Sequence, residues 1–206
     1  MADYFTIAQL CETDLRVKDS LFVAWIAPAA SRAQAEELIT QRSRACADAT
    51  HNCFALRTGM GEQLAVRSSD ANEPAGTAGR PMLQALEARR LTNVAAVVTR
   101  YFGGTKLGTG GLIRAYSKVM FDLLDRARLI PFFETCRLCL VYQYPDSPAV
   151  ERAMRKFEVL SIEEIFGAEI RRLVEVRKDH QADFESALLD LSAGRVEIEI
   201  NSFKST

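Results

Sequence analysis

The sequence predicts an α+β protein of two domains, residues 1–130 and residues 131–206. First, segments with the alternating apolar pattern of strands are interspersed with segments that have the period of helices, about 3.6 residues. Second, Pro131 follows a helical pattern and forces an extended segment, which indicates a domain boundary near residue 130. Third, a chain of 206 residues, 48% of them hydrophobic, has enough apolar material for one or two compact cores.

The elements predicted after residue 130 follow the order β-α-β-β-α-β, which is the order of a ferredoxin-like sandwich. Ser147 is a predicted helix cap with Pro148 at the first helical position, and Asp179 is the predicted cap of the second helix. Gly194 follows the predicted end of that helix, as glycine often does. The predicted elements are strand 134–144, helix 149–157, strand 159–166, strand 169–177, helix 179–191 and strand 196–200.

Residues 1–130 also combine helices with strands. Ser31 is a predicted helix cap, and Pro81 lies in the first turn of the second predicted helix. Residues 94–98 are all apolar, which predicts a strand that is buried on both faces. The predicted elements are strand 21–27, helix 31–46, strand 50–58, strand 63–67, helix 80–89, strand 94–99 and helix 112–127.

The charge balance provides no overall attraction to nucleic acid or to an acidic membrane surface. Lys and Arg number 26 and Asp and Glu number 27, so any such attraction depends on a local patch. No window approaches the roughly 18 apolar residues that a membrane helix needs, and the N-terminal residues lack the pattern of a signal peptide. The five cysteines are an odd number, which is typical of free thiols in a reducing compartment. We therefore expect a cytoplasmic protein with no membrane partner.

The first candidate site is a polar segment, residues 67–81. Long loops inside compact domains are often functional. Thr77 lies just before a predicted helix start, where free backbone N–H groups and the helix dipole favour an anion, with Arg80 as a partner. The alternative is a solvated loop whose hydroxyls cap the helix. The candidate anion or nucleic-acid contacts in this segment are Arg67, Ser68, Ser69, Asp70, Glu73, Gly76, Thr77 and Arg80.

The second candidate site is a glycine-rich segment, residues 100–117. Five glycines in nine residues follow the predicted buried strand, and glycine lets a phosphate or another backbone approach closely. Basic and aromatic side chains on such a turn suit single-stranded RNA or a protein partner. The alternative is a tight connection whose glycines serve packing only. The candidate contacts in this segment are Arg100, Tyr101, Gly103, Gly104, Lys106, Gly108, Thr109, Gly110 and Arg114.

Two nucleotide-binding motifs are disfavoured in the glycine-rich segment. A P-loop needs a lysine directly after its last glycine, but Thr109 follows Gly108. A dinucleotide fingerprint that starts at Gly108 needs a glycine where Ile113 stands. The sequence therefore does not predict an NTPase or a Rossmann domain.

The cysteines and histidines do not predict a catalytic or metal site. His51 and Cys53 share one face of a predicted strand, so a thiol nucleophile is one interpretation. A hydrogen-bonded histidine near the surface is the favoured interpretation, because proximity in sequence is not catalytic geometry. Cys136 and Cys139 have metal-like spacing, but they point to opposite faces of a strand and have no second pair. We predict no catalytic residue, no metal and no cofactor.

Several motifs, taken in their order, resemble those of the Impact/YigZ family. They are DATHNCFA from Asp48, RSSD from Arg67, EPAGTAGRP from Glu73, LTNV from Leu91 and VTRYFGGTKLGTGGLIRAYS from Val98. The acidic C-terminal part of the chain is similar to the small domain of bacterial members, so the resemblance extends over nearly the whole chain. The departures are modest: Ala75 stands where serine is common, Thr105 where isoleucine or valine is common, and Leu56 where an aromatic residue is common.

The resemblance implies a fold and a class of partner. It implies a ribosomal protein S5 domain 2-like fold for residues 1–130, as in domain IV of elongation factor G. It implies a ferredoxin-like fold for residues 131–206, as in domain V of that factor. Eukaryotic members regulate translation, so a general link to translation or RNA carries over to a bacterial member, whereas no enzymatic activity is settled for the family.

The sequence thus predicts a non-enzymatic, translation-linked regulator that binds RNA, the ribosome or a translation-related protein. Two alternatives stay open. One is a protein–protein adaptor that does not bind RNA, with the acidic second domain as its docking face. The other is an enzyme on a phosphate-bearing small molecule, with Asp70 and Glu73 as general base or metal ligands.

Overall fold

The predicted α+β class is confirmed. The structure, a computed structural model, describes residues 4–200, except for the side chain of Ile200. The chain divides into two compact units, Met1–Phe132 and Phe133–Thr206. Each unit combines helices with antiparallel sheets, and each is described by itself below.

The first unit contains seven described strands and three described α-helices. In chain order they are β1 (Tyr4–Ile7), β2 (Cys11–Val17), β3 (Ser20–Pro28), α1 (Arg32–Ala45), β4 (His51–Thr58), β5 (Ala65–Ser69), α2 (Gly79–Ala88), β6 (Val94–Tyr101), α3 (Gly108–Arg126) and β7 (Leu129–Phe132). The main sheet has five antiparallel strands in the order β2-β3-β6-β4-β5. A separate antiparallel pair joins β1 to β7.

Helices cover both faces of this sheet. On one face, Met82 of α2 and Met120 of α3 pack with inward residues of the strands, among them Phe22. On the other face, Ile39 of α1 packs near Trp25. Strand β6 lies at the centre of the sheet and is buried from Val94 to Arg100. The prediction of a strand buried on both faces is confirmed, because a central strand between two helical layers has no solvent face.

Three strands of the first unit were not predicted. Strands β1 and β7 have four residues each, and β2 alternates charged with apolar residues at the sheet edge. Four residues are too few for periodicity to identify β1 and β7. The alternation in β2 is a strand pattern, and the prediction missed it. Helix α3 begins at Gly108, whereas the predicted start was residue 112. The predicted start was too late because the first turn is rich in glycine, which by local propensity favours a loop.

The second unit has the predicted element order. Its described elements are β8 (Thr135–Tyr142), α4 (Ser147–Lys156), β9 (Leu160–Phe166), β10 (Ile170–Arg177), α5 (Gln181–Ser192) and β11 (Glu197–Ile200). The four strands form an antiparallel sheet in the order β11-β8-β10-β9. The ferredoxin-like assignment of this unit and the S5-like assignment of the first unit stay predictions.

Two details of the second unit differ from the prediction. Helix α4 starts at Ser147 with Asp146 at its N-cap position, so Ser147 is not the cap. Asp179 is also not a cap, because a 3-10 turn precedes α5 and the Asp179 carboxylate pairs with Arg177. The opposite orientation of the two β8 cysteines is confirmed: Cys136 packs against the core, whereas Cys139 is buried outside that cluster.

None of the helices in the described part of the chain is long and apolar enough to cross a membrane. Within residues 4–200, no group of three or more His, Cys, Asp or Glu side chains is arranged to hold a metal ion.

Candidate functional site

A cleft of about 440 Å³ in the first unit is the candidate functional site. It lies where the N-terminus of α3 meets the end of β6, the start of β4 and the polar segment. The two sequence candidates therefore meet at one place. Its lining residues are Thr50, His51, Glu73, Pro74, Arg100, Phe102, Lys106, Leu107, Gly108, Thr109 and Leu112.

Glu73 contributes a buried carboxylate to this cleft. Its side chain is 2% exposed, and its Oε1 accepts hydrogen bonds from Arg100 Nη1 at 2.8 Å and from the Tyr116 hydroxyl at 2.8 Å. Burying a charge is costly unless it is paired and hydrogen-bonded, and Arg100 supplies both the opposite charge and a donor. Both bonds go to Oε1, so Oε2 forms no hydrogen bond within the described residues.

Arg100 is held from several sides. Its guanidinium lies 5.3 Å from the ring centre of Phe22 and 5.4 Å from that of Phe102, both within the range of cation–π contacts. Its Nη2 donates to the Ser20 hydroxyl at 3.3 Å. Its Nε is buried and has no hydrogen-bond partner among the described residues. Because Arg100 neutralises Glu73, it adds little net positive charge to the cleft.

His51 lies beside this carboxylate. Its Nδ1 is 2.9 Å from the carbonyl oxygen of Ala71, and a carbonyl can only accept, so Nδ1 carries the hydrogen. His51 lines the cleft, and its Nε2 lies 3.9 Å from Glu73 Oε2. That distance is too long for a direct hydrogen bond. His51 is not among the predicted contacts of the site, and the feature that brings it there is its register opposite Arg100 in the sheet.

Asp70 organises the loop that leads into α2. Its Oδ1 accepts the backbone N–H groups of Ala78 and Gly79, both at 2.9 Å, and its Oδ2 accepts that of Gly76 at 2.8 Å. Burial acts to raise the pKa of Asp70, but these backbone hydrogen bonds outweigh it and hold the pKa below its ordinary value. Thr77 is buried and donates to the Pro74 carbonyl at 2.6 Å. Asp70 and Thr77 thus cap the backbone of their own loop and helix.

The thiol of Cys53 does not fit a nucleophile. It lies 3.0 Å from the Asp70 carbonyl oxygen and 3.3 Å from the Tyr116 hydroxyl, and it is fully buried. Burial raises the pKa of Cys53 to about 12, and burial also raises the pKa of Tyr116. A thiol that stays protonated at neutral pH is unreactive, so the thiol-nucleophile interpretation of the pair His51 and Cys53 is wrong.

The glycine-rich segment brings Lys106, Gly108 and Thr109 to the cleft. Arg114 and Gly110 lie beside it: a Cβ on Gly110 would stand 3.6 Å from Arg114 Nη1, so the guanidinium folds back over the first turn of α3. The other three predicted contacts in this segment do not line the cleft. Tyr101 donates to Asp48, Gly103 packs against the backbone of Asp19, and Gly104 has a positive φ with open space around it.

Four further predicted residues also lie outside the cleft. Arg67 is exposed on β5 and pairs with Glu36 at 2.9 Å, and Ser68 is exposed on the same edge strand. The Ser69 hydroxyl accepts the N–H of Ala71 at 3.2 Å. Arg80 is exposed on α2, and its side chain makes no hydrogen bond or ion pair within residues 4–200.

Residues 18–124, which contain the whole cleft, match the family model of the Impact N-terminal domain. The chain belongs to the Impact family. A second model, a domain of unknown function called DUF1949, matches residues 140–195 of this Impact family protein. The family that the sequence motifs resemble is therefore confirmed, together with a two-domain architecture.

Relatives of this Impact family protein extend the match along the chain. The Bacillus subtilis Impact family member YvyE is 40% identical over 127 residues, which are 62% of this chain and 58% of that protein. A Haemophilus influenzae Impact family member is 30% identical over 201 residues, which are 97% and 98% of the two chains. A crystal structure titled as a hypothetical protein is 27% identical, with a TM-score of 0.66 and 98% of each chain covered. The fold over the full length is thus shared with a solved structure.

Proposed function

We propose that this Impact family protein is a non-enzymatic, translation-linked regulator of the cytoplasm that binds RNA, alone or in the ribosome, through the cleft. The observation that carries the proposal is the meeting of Lys106, the Phe102 ring and the first turn of α3 at one cavity. A cation tracks the phosphate backbone, an exposed ring stacks on an unpaired base, and a helix N-terminus offers N–H groups to an anion.

The charges around the cleft support a local basic site in a nearly neutral protein. Glu73 is neutralised by Arg100, whereas the side chains of Lys106 and Arg114 are exposed and form no ion pair within the described part of the chain. The two cations are therefore not paired directly with a carboxylate, although Asp19 lies nearby and accepts from the Thr105 hydroxyl at 2.7 Å. Such a patch suits a polyanion and gives sequence-independent, salt-sensitive binding.

The test is co-sedimentation with ribosomal subunits and filter binding to single-stranded RNA at several salt concentrations. We expect the double substitution Lys106→Ala and Arg114→Ala to weaken binding and to reduce the slope of log K against log salt by about 0.7 for each phosphate that the variant no longer neutralises. The matched control removes two other exposed cations, Arg126→Ala and Arg128→Ala. Equal RNA binding by the two double variants would show that RNA does not bind at the cleft.

A protein–protein adaptor is the second candidate, and one observation favours it. Strand β9 lies at the edge of its sheet, where Leu160 is 65% and Phe166 is 64% exposed. Exposed apolar side chains on an unpaired strand edge are typical of a surface to which a partner strand adds. The test is capture of a protein partner by the parent protein and by the double variant Leu160→Ser and Phe166→Ser. Capture that is lost in the variant, together with no RNA binding by the parent protein, would favour the adaptor.

A further inference from the structure

The walls, mouth and floor of the cleft differ in chemistry. Its walls are apolar and come from Pro74, Phe102, Leu107 and Leu112. Its mouth has the cation of Lys106, and its floor has a buried carboxylate. A volume of about 440 Å³ is in the range of small-ligand pockets. These features together favour a ligand the size of one nucleotide, with a flat apolar part and an anionic part, and exclude a paired RNA helix from the cavity.

The Phe102 ring is held in position by contacts within the protein, without a ligand. The Arg100 guanidinium covers one side of its ring at 5.4 Å, while 43% of the residue remains exposed. Its backbone N–H donates to the Thr50 hydroxyl at 3.0 Å, which fixes the position of the chain. A ring already held in place loses little conformational freedom on binding, so the free part of Phe102 is suited to stack on a heterocycle.

The start of α3 is suited to the anionic part of the ligand. Its N-cap residue, Leu107, provides no side-chain hydrogen bond to the first turn, so the first N–H groups have no such partner. Nothing lies within 4 Å of the position of a Cβ at Gly108, which leaves room for a phosphate to approach the backbone. Lys106 lies next to this turn, and its ammonium makes no ion pair among residues 4–200.

The floor adds a second observation that points to a ligand. Glu73 Oε2 and His51 Nε2 stand 3.9 Å apart and do not bond to each other. A neutral imidazole whose Nδ1 carries the hydrogen accepts at Nε2, and a carboxylate oxygen also accepts. Two adjacent acceptors at the end of an apolar cleft, one on a side chain 2% exposed, match the hydroxyl or N–H donors of a nucleoside.

We propose that the cleft holds a single unstacked nucleotide. Its phosphate lies at Lys106 and the first turn of α3, its heterocycle stacks on Phe102, and its donors reach His51 and Glu73. The inference rests on the proposed function of the same site and specifies its ligand. The shared chemistry is a nucleoside with a phosphate, and the source is either an unpaired nucleotide of RNA or a free mononucleotide.

The experiment is calorimetric titration of the full chain with nucleoside 5′-monophosphates, the matching nucleosides, inorganic phosphate and a single-stranded oligonucleotide. We expect Phe102→Ala to reduce the affinity for the monophosphate and for the oligonucleotide by roughly 5- to 150-fold. That range corresponds to removal of one base–aromatic stack. We expect Lys106→Ala to reduce the affinity for the monophosphate but not the affinity for the nucleoside. Val66→Ala and Arg126→Ala are the controls, because each removes an exposed side chain of the first unit that does not line the cleft.

The outcomes separate this inference from the proposed function. Oligonucleotide binding that Phe102→Ala leaves unchanged, with no binding of any monophosphate at millimolar concentration, overturns the inference and leaves RNA binding intact. Monophosphate binding that depends on Phe102, without oligonucleotide binding, supports the inference with a free nucleotide as the source and overturns the RNA proposal. Binding of neither ligand overturns both.

A second variant tests whether His51, at the floor of the cleft, contacts the nucleoside part of the ligand. His51→Ala removes one acceptor without touching the pair of Glu73 and Arg100, so folding is expected to persist. We expect weaker binding of both the nucleoside and the monophosphate, with inorganic phosphate unaffected. Equal weakening for all three ligands would place His51 at the phosphate and overturn the assignment of the floor.

Discussion

At the scale of single residues, the polar segment owes its shape to Asp70. Three backbone N–H groups, from Gly76, Ala78 and Gly79, converge on its carboxylate. The N-cap residue of α2 is Ala78, which has no side-chain acceptor, so Asp70 does from a distance what a cap residue normally does. The loop that closes one side of the cleft is therefore held by a group outside the cavity.

We expect Asp70→Ala to lower the free energy of unfolding by about 1–3 kcal/mol, since it leaves backbone donors without their acceptor. Because the pKa of Asp70 is lowered in the folded state, its charged form stabilises the protein above the ordinary carboxyl range. That contribution is lost as pH falls through the folded pKa. Urea unfolding of both proteins at several pH values measures this, and a difference that stays constant down to the most acidic pH would contradict it.

Gly103 and Gly110 provide a matched pair of substitutions. A Cβ on Gly103 would overlap the backbone of Asp19, whereas a Cβ on Gly110 would meet only the Arg114 side chain, at 3.6 Å. We expect Gly103→Ala to destabilise the protein by about 1–3 kcal/mol, as overpacking does. Gly110→Ala should stabilise it by up to about 1 kcal/mol, because alanine favours the helix. Thermal unfolding compares the two, and similar midpoints would contradict this packing.

Cys53 is predicted to resist alkylation in the folded protein. With a pKa of about 12, on the order of one thiol in ten thousand is ionised at pH 8, and the thiol is fully buried. Cys11 and Cys46 are partly exposed and serve as internal references. Iodoacetamide followed by peptide mass spectrometry should label both references first. Labelling of Cys53 at a comparable rate would show that the core around Tyr116 opens.

At the scale of elements, the two-stranded sheet of β1 and β7 contributes side chains to the core of the first unit. Ile7 at the end of β1 is 2% exposed and joins the core beneath α2 and α3. We expect Ile7→Ala to cost about 2–5 kcal/mol, the usual range for a fully buried aliphatic side chain. Ala8→Gly, next to it and exposed, is the control. Equal stability of Ile7→Ala and the parent protein in urea would show that β1 contributes nothing.

How far elements could be predicted depended on their length and partners. Strand β6 and the β-α-β-β-α-β order of the second unit were predicted, because runs of five or more apolar or alternating residues record burial directly. Strands β1 and β7 have four residues each and become strands by pairing with each other. Gly110 and Gly111 in the first turn of α3 are helical although their own propensity opposes a helix, so packing of the rest of that helix decides their conformation. Gly108, before them, has a φ of +71°.

At the scale of the whole molecule, each unit has a hydrophobic core of its own. The clusters around Met120 and Trp25 lie within residues 1–132, and the cluster around Phe184 lies within residues 133–206. We expect each part to fold when expressed alone, and residues 1–132 to keep the RNA and nucleotide affinity of the full chain. Circular dichroism and the titrations above check this. An unfolded spectrum for residues 1–132 would contradict it.

The class of fold, the order of most elements and the two segments that meet at the cleft were predictable from the order of residues. Periodicity and turn residues report local backbone geometry, and both are visible in the order of residues. The role of each polar residue was not predictable, because it depends on which distant residues the fold brings together. Glu73 meets Arg100 across 27 residues and Tyr116 across 43, so the ligand contact predicted for Arg100 became a buried charge pair. Which charges are neutralised and which stay free depends on packing between distant segments, and that leaves Lys106 at the mouth of the cleft as a cation that the protein itself does not neutralise.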